Sequence, residues 1–535
     1  EPGDVRRFRI SSQRHVSQPF RCRSNSQILY LTKNRSVVGL DWGSTSVRLV
    51  VCSLPSDDED YVSQPEVLFN QRNLETQDGT RYEKGAFNGY INISGTEEVY
   101  TGDELSPSTT QVSAKFFLGD GFLDTFRDFA NGENSLRMEA LKNINSADFE
   151  DRATKGLKKI LKAVFLRLES ESQKRSKPLR IVDFGLSVPA HWTLVEHERY
   201  KAIIKDTLEK DSTLLTSRSF DLDHIFDHLH FHTEAEAMAH FICSDEYVAD
   251  KRLGRDDSQY VLFLDFGGHS MNGCLYYVRR ARGKTALFRA SDPIATVGGS
   301  ALLETSVGDF CTSHAESDTG ELGSNEFTQL LRNEFLKEFR TRLIALGNKE
   351  PFREEAADKF KVEFEDMNLT IERPSGYSSA SKRFHVTIPR LDLTTMFRKA
   401  FLRPLLEAEK GIRDLKAKIA STQAGIRGRI VVSGGGAKNQ RVKYYLYEVV
   451  EKISQGGASP PIVYLDKEPE TPYESFNTAK GAAIATAKAH QTIATYIKNG
   501  AAFGMQVQRG RGGGGDAEWD EIATILLANT VQDSL

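Results

Sequence analysis

No two cysteines stand in a C-x-x-C arrangement; the five present, Cys22, Cys52, Cys243, Cys274 and Cys311, are scattered along 535 residues. That spacing disfavours a zinc ribbon or a disulfide framework and points to a reducing compartment. No run of about 18 consecutive apolar residues occurs, so no transmembrane helix is predicted. A large excess of one charge is missing too. The formal net charge of −4 is small for this length and argues against a protein that coats nucleic acid. Two familiar phosphate-binding signatures are also absent in a suitable context: the P-loop G-x-x-x-x-G-K-[ST], and G-x-G-x-x-G after a first strand.

What is present fits two large domains with smaller appendages, because the chain exceeds the size of one ordinary core. The hydrophobic content of 39% leaves enough apolar residues for those cores, with polar tail or loop to spare. The opening Glu1, in place of Met, reads as a processed or partial start. Residues 1–35 are rich in arginine and serine, with Glu1 and Asp4 as their only acids. They read as a disordered basic leader in a cytoplasmic protein, with a mitochondrial transit peptide as the alternative.

Strand signals appear at Val37 to Leu40 and Val47 to Leu54, joined by a Gly/Ser/Thr turn. The pattern returns at Tyr260 to Leu264 and Cys274 to Val278, around the turn FGGHSMNG. Two such hairpins far apart predict a duplicated architecture. Between them an amphipathic helix is expected over Asp148 to Lys174, with Leu157, Ile160, Leu161, Val164 and Leu168 on one face. A buried strand over Leu179 to Val188 and a helix over Glu196 to Lys210 follow. A further strand, Gly428 to Val432, runs into a triple glycine, and a helix carrying Val442, Leu446 and Val449 comes next. RGRGGGGD, Arg509 to Asp516, reads as a flexible linker; a single arginine-glycine copy is weak grounds for RNA binding. A last short helix is predicted over Ala517 to Ala528.

The turn in GLDWGSTS, Gly39 to Ser46, can aim backbone N–H groups and hydroxyls into one concavity, which suits phosphate oxygens. Asp41, at the strand end, is placed to hold a hydrated magnesium ion through water. LDFGGHS repeats the device with Asp265, Gly267, Gly268 and Ser270. One acid-glycine-hydroxyl hairpin is a moderate signal; two, one per half, form a clamp for a polyphosphate and its metal.

The order of these segments resembles the ATPase domain of the 70-kilodalton heat-shock protein family, within the actin, sugar-kinase and heat-shock superfamily. GLDWGSTS and LDFGGHSMNG resemble its two phosphate motifs, and IVVSGGGAKNQRV its adenosine motif. LSVPAHWT, TEAEAMA, TAKGAAIATA, TGDEL, AKFFLG and TVGGSALLE fall in family order. The resemblance spans roughly residues 36–490. It implies an α/β, actin-like (ribonuclease H-like) fold of two duplicated lobes, each a mixed sheet flanked by helices. Lobe I is expected over 36–250, lobe II over 251–469, a connecting helix returning to lobe I over 470–490, and a tail over 491–535.

The resemblance also implies roles. Asp41 and Asp265 match the aspartates around Mg²⁺, and Gly43, Ser44, Thr45 and Ser270, with Gly267 and Gly268, match the phosphate turns. Lys115 matches the lysine that steadies the γ-phosphate and attacking water, and Glu234 a glutamate beside the metal-bound water. Gly298 and Gly299 match a glycine pair under the terminal phosphates. Gly434, Gly435, Gly436 and Lys438 match the ribose and adenine wall, and Lys361 an adenosine-contacting lysine. ATP or ADP with Mg²⁺ are the implied ligands, with a protein partner of unknown kind and no specific nucleic acid.

Departures temper the expected chemistry. His269 and Ser270 stand where the family has glycine then threonine, Asn272 where it has an acid, and Ser475 where it has an aspartate near the ribose. A histidine in place of that glycine crowds the approach of phosphate. After His490 only 45 residues follow, fewer than the ~100 of a β-sandwich peptide-binding domain. The pattern resembles a divergent branch, common among fungal proteins, with little after the ATPase module. A slow ATPase is the leading expectation and a non-hydrolysing nucleotide-binding scaffold the second. A small-molecule kinase of the superfamily is the third, but no aspartate base beside a sugar pocket stands out.

Overall fold

The structure is a computed structural model. It describes residues 35–43, 46–54, 65–66, 86–92, 111–113, 115, 146–190, 192–227, 229–244, 258–281, 284–319, 325–346, 364–372, 383–422, 426–454, 459–465, 476–490, 503–508 and 519–525. Expectations for the leader up to residue 34, the 101–105 segment, the 509–516 linker, and Ser44, Thr45, Lys361 and Ser475 lie outside the described residues.

Strand β1 (Arg35–Trp42) is buried at every residue but its first. A strand covered on both faces reads as a continuous apolar run, which is what made it legible. β2 (Ser46–Ser53) returns antiparallel beside it, and β3 (Ala86–Asn88) extends the antiparallel part. A separate small hairpin pairs β4 (Tyr90–Asn92) with β5 (Gln111–Ser113). Helix α1 (Ser146–Gln173) buries Leu157, Ile160, Leu161, Val164 and Leu168, the face its spacing predicts. β6 (Arg180–Val188) then runs parallel to β1.

Helix α2 (Leu194–Lys210) begins two residues before the expected Glu196. The reason is a capping box: Thr193 accepts from the helix backbone, and its own N–H donates to the Glu196 carboxylate at 2.6 Å. β7 (His230–Thr233), parallel to β6, completes a mixed five-stranded sheet in the order β3-β2-β1-β6-β7.

Helix α3 (Glu234–Ile242) leads on to the second sheet, where β8 (Ser258–Phe266) and β9 (Ser270–Ala281) form the second hairpin. The next strand position is divided between β10 (Lys284–Arg289) and β11 (Ile294–Val297), both antiparallel to β9. Helices α4 (Ser300–Thr319) and α5 (Asn325–Leu346), the hairpin β12 (Met367–Glu372) and β13 (Arg383–Ile388), and helix α6 (Arg390–Ser421) come next. β14 (Arg427–Ser433) lies parallel to β8; helix α7 (Gln440–Ser454) and β15 (Ile462–Tyr464), parallel to β14, follow. The order β10-β9-β8-β14-β15 repeats that of the first sheet, with the same pattern of parallel and antiparallel neighbours. The two halves are duplicates in topology.

Two helices cross between the halves. Helix α3 follows the first sheet yet buries Ala235, Met238, Ala239 and Ile242 against Val261, Phe263 and Val431 of the second. Helix α8 (Asn477–His490) follows the second sheet yet buries Ala479, Ala483 and Ala487 against Val37, Val50 and Val182 of the first. The small residues of α8 make this possible. A β-carbon on Gly481 would lie 1.6 Å from the Ala237 carbonyl oxygen, so the two helices approach at a distance only glycine permits. The opposite faces of the sheets carry α1 with α2, and α4 with α6 and α7. Among the described residues no helix is long and apolar enough to cross a membrane.

The tail corrects one expectation. Where a helix was expected over Ala517 to Ala528, β17 (Trp519–Ile525) pairs antiparallel with β16 (Phe503–Gln508). Alanine, glutamate and leucine in this stretch favour helix, but Trp519, Ile522, Thr524 and Ile525 suit a strand once a partner is at hand.

Candidate functional site

Each sheet places an aspartate at the C-terminal end of its central strand. Asp41 ends β1 and Asp265 ends β8, each one residue short of an aromatic. The turns after them close with the same hydrogen bond: Gly43 N–H donates to Ser46 O at 2.9 Å, and Gly267 N–H to Ser270 O at 2.9 Å. The likeness extends to the neighbouring strand. Ser187 of β6 stands beside Asp41, and Ser433 of β14 beside Asp265, in matching parallel register. Ser187 donates its hydroxyl to Asp41 at 2.6 Å, and Ser433 to Asp265 at 3.4 Å. Sequence reasoning missed both serines. Their only signal was position, the last polar residue of a buried strand running parallel to one that ends in aspartate.

Across each hairpin the partners differ. Arg48 faces Asp41 and Asn272 faces Asp265 in antiparallel register. Arg48 Nη1 lies 3.2 Å from Asp41 Oδ2, so both oxygens of the buried Asp41 carboxylate carry a donor. Nearby, the fully buried Tyr200 packs edge-on to Trp42, and burial with the adjacent Asp41 charge pushes its phenol pKa well up.

Glu234 joins the halves. β7 aligns Thr233 with Val188, one residue past Ser187, and Thr233 caps α3 through a box with Glu236. That sets Glu234 on the first turn of α3. Its Oε1 accepts from the Lys115 ammonium, and its Oε2 accepts from the Asn272 amide at 2.5 Å. All three are buried. The Asn272 amide also lies 3.3 Å from the Ser270 hydroxyl, and its Oδ1 is buried with no hydrogen-bond partner among the described residues. Lys115, Glu234 and the second hairpin, far apart in sequence, therefore meet.

The glycine segments gather on the second turn. Gly298 and Gly299 have φ of 142° and 151°, and Gly434 has φ of 96°, a backbone region that favours glycine. Gly298 N–H donates to His269 O at 2.9 Å and Ala301 N–H to Gly268 O at 2.8 Å, which docks the start of α4 on the turn. A β-carbon on Gly434 would meet Phe266 O at 2.3 Å and Asp265 Oδ1 at 2.5 Å. Gly435 and Lys438 are exposed in the short 3-10 turn Gly435–Lys438, and Gly436 is buried there. Ser44, Thr45 and Lys361 lie outside the described residues, so their placement is not part of this geometry.

The arrangement can hold an anion against glycine-lined turns, beside the buried Asp41, the half-buried Asp265 and the buried Lys115. Among the described residues no three His, Cys, Asp or Glu side chains are placed to hold a metal directly. Magnesium usually keeps several waters and takes one or two carboxylates besides phosphate oxygens. Asp265, half-buried at the turn, and the orphaned Asn272 Oδ1 fit such an ion. No model of a known protein family matches this chain, and no curated protein matches it.

Proposed function

We propose that this chain is an actin-like, heat-shock-type nucleotide-binding module that takes Mg-ATP between its two halves and hydrolyses it slowly. One observation carries the reading: two acid-glycine-hydroxyl hairpins occupy equivalent places in two sheets of the same strand order, and Glu234, just past the last strand of the first sheet, accepts from Asn272 of the second hairpin. The missing P-loop leaves this duplicated clamp as the way the chain offers to grip a polyphosphate.

In this reading the turn amides around Gly43 and Gly267 face phosphate oxygens, and Gly298 and Gly299 let the backbone come close to them. Bound Mg²⁺ would offset charge on the β- and γ-phosphates, held by Asp265 and the facing polar groups. Lys115 and Glu234 orient water for attack on the γ-phosphorus. The bond to the bridging oxygen then breaks, releasing ADP and phosphate, and the water proton leaves through a neighbouring base or solvent. Both Glu234 oxygens already carry a donor, from Lys115 and Asn272. A water must therefore share an acceptor already bound to a cation or an amide, which weakens its pull on the water proton and is the physical ground for slow turnover.

The same contact favours a second reading, a scaffold that binds nucleotide without turnover. Single-turnover phosphate release, with the chain in excess over Mg-ATP, separates the two. Slow release of one phosphate per bound ATP supports the ATPase. Intact ATP recovered from a chain that binds it supports the scaffold.

A further inference from the structure

We propose that Arg48 is a positioning residue that supplies a fixed positive charge to phosphate in the first half, making this side of the cleft independent of a divalent ion. The inference rests on the nucleotide reading above. Its ground is an asymmetry between two otherwise matched hairpins. At the position facing the aspartate, the second half carries the neutral Asn272 and the first the charged Arg48. The guanidinium is anchored, with Nη1 3.2 Å from Asp41 Oδ2 and its side chain 19% exposed. It also lies over the phosphate turn: a β-carbon on Gly43 would be 3.1 Å from Nη1 and 3.9 Å from the guanidinium carbon. Glycine at 43 thus leaves room for a cation directly against the turn.

The consequence is a division of labour. Asp41 is held by Ser187 and charge-paired with Arg48, which offsets its attraction for a divalent ion. Asp265 is faced across its hairpin by the neutral Asn272 and not by a cation, so its charge is not offset from that side and a divalent ion is drawn there. A planar guanidinium presents several donors in a fixed fork that matches phosphate oxygens, and it keeps its charge at every working pH.

The test is isothermal titration of the full chain with ATP, in Mg²⁺ and in EDTA, for the natural protein, Arg48→Gln and Arg48→Lys. Glutamine keeps a donor for Asp41 and loses the charge; lysine keeps the charge. Arg48→Gln is expected to raise the ratio of the EDTA to the Mg²⁺ dissociation constant about tenfold, the scale of one charge-assisted hydrogen bond. Arg48→Lys is expected to leave that ratio near the natural value. Because the ratio compares one protein with itself, general destabilisation does not imitate it. Should Arg48→Gln fail to fold, the pair Asp41→Asn with Arg48→Gln leaves no unpaired charge and carries the same expectation. An unchanged ratio in the glutamine variants overturns the role of Arg48 while leaving nucleotide binding intact. No ATP binding by the natural chain in either condition overturns the nucleotide reading, and this inference with it.

Discussion

At the scale of single residues, the site is governed by who donates to its carboxylates. Ser187 is the closer of the two matched serines, at 2.6 Å against 3.4 Å for Ser433. Removing a donor from a buried carboxylate costs about 1–3 kcal/mol. Ser187→Ala is therefore expected to lower stability within that range, and Ser433→Ala by less, in urea unfolding of both variants. Equal losses would mean the longer contact matters as much as the shorter one. Asn272 gives a second test, because its amide donates to Glu234 at 2.5 Å. Asn272→Asp sets two carboxylates together and raises the pKa of the pair. The folded state then holds a proton more tightly than the unfolded one. The penalty is absent below the ordinary carboxylate range and present above the raised pKa. Thermal unfolding of Asn272→Asp is expected to fall further below the natural chain at pH 8 than at pH 4. A gap independent of pH would contradict the assignment of that hydrogen bond.

Among the elements, the sequence made the long strands and helices legible because burial on both sides or on one face leaves a plain pattern. β1, β6, α1 and the two hairpins were readable in this way. The acid and glycine positions of the site were readable too, since turns of that shape demand those residues. What stayed hidden depends on partners far along the chain. Ser187, Ser433 and Arg48 acquire meaning only through strand register, and the helix expected at Ala517 yields to a strand because Phe503–Gln508 pairs with it. The crossing of α3 and α8 is likewise a packing fact. Gly481→Ala improves helix propensity by about 1 kcal/mol but drives a methyl into the Ala237 carbonyl, 1.6 Å away. A net loss of about 1–3 kcal/mol is expected, the range for overpacking. Gly411→Ala, in α6, meets only the flexible ends of Ile294 and Leu262 at 2.8 Å and 3.3 Å, and is expected to lose less. Denaturant midpoints of the two variants decide this, and a smaller loss for Gly481→Ala would contradict the close crossing.

For the whole molecule, the seam between the halves predicts sensitivity to acid. His232 is half-buried beside α8, with Nε2 3.0 Å from the Thr486 hydroxyl. Burial, reinforced by His230 and opposed by Asp183, lowers its pKa from 6.5 to about 3. His240 is lowered well below its ordinary value by burial, with Lys488 and His232 acting the same way. Between these folded and unfolded values the unfolded chain holds protons that the folded chain does not, so stability falls as pH drops below 6.5. Each such histidine contributes a slope approaching about 1.4 kcal/mol per pH unit. Stability measured from pH 8 to pH 5 should show this decline, with His232→Asn giving a shallower one; parallel curves would place the sensitivity elsewhere. The central claim, that the two matched hairpins form one nucleotide clamp, is tested most directly by the stoichiometry of Mg-ATP binding in isothermal titration of the full chain. One ATP per chain is the predicted result. No binding, or two ATP molecules per chain as from two independent hairpins, would contradict it.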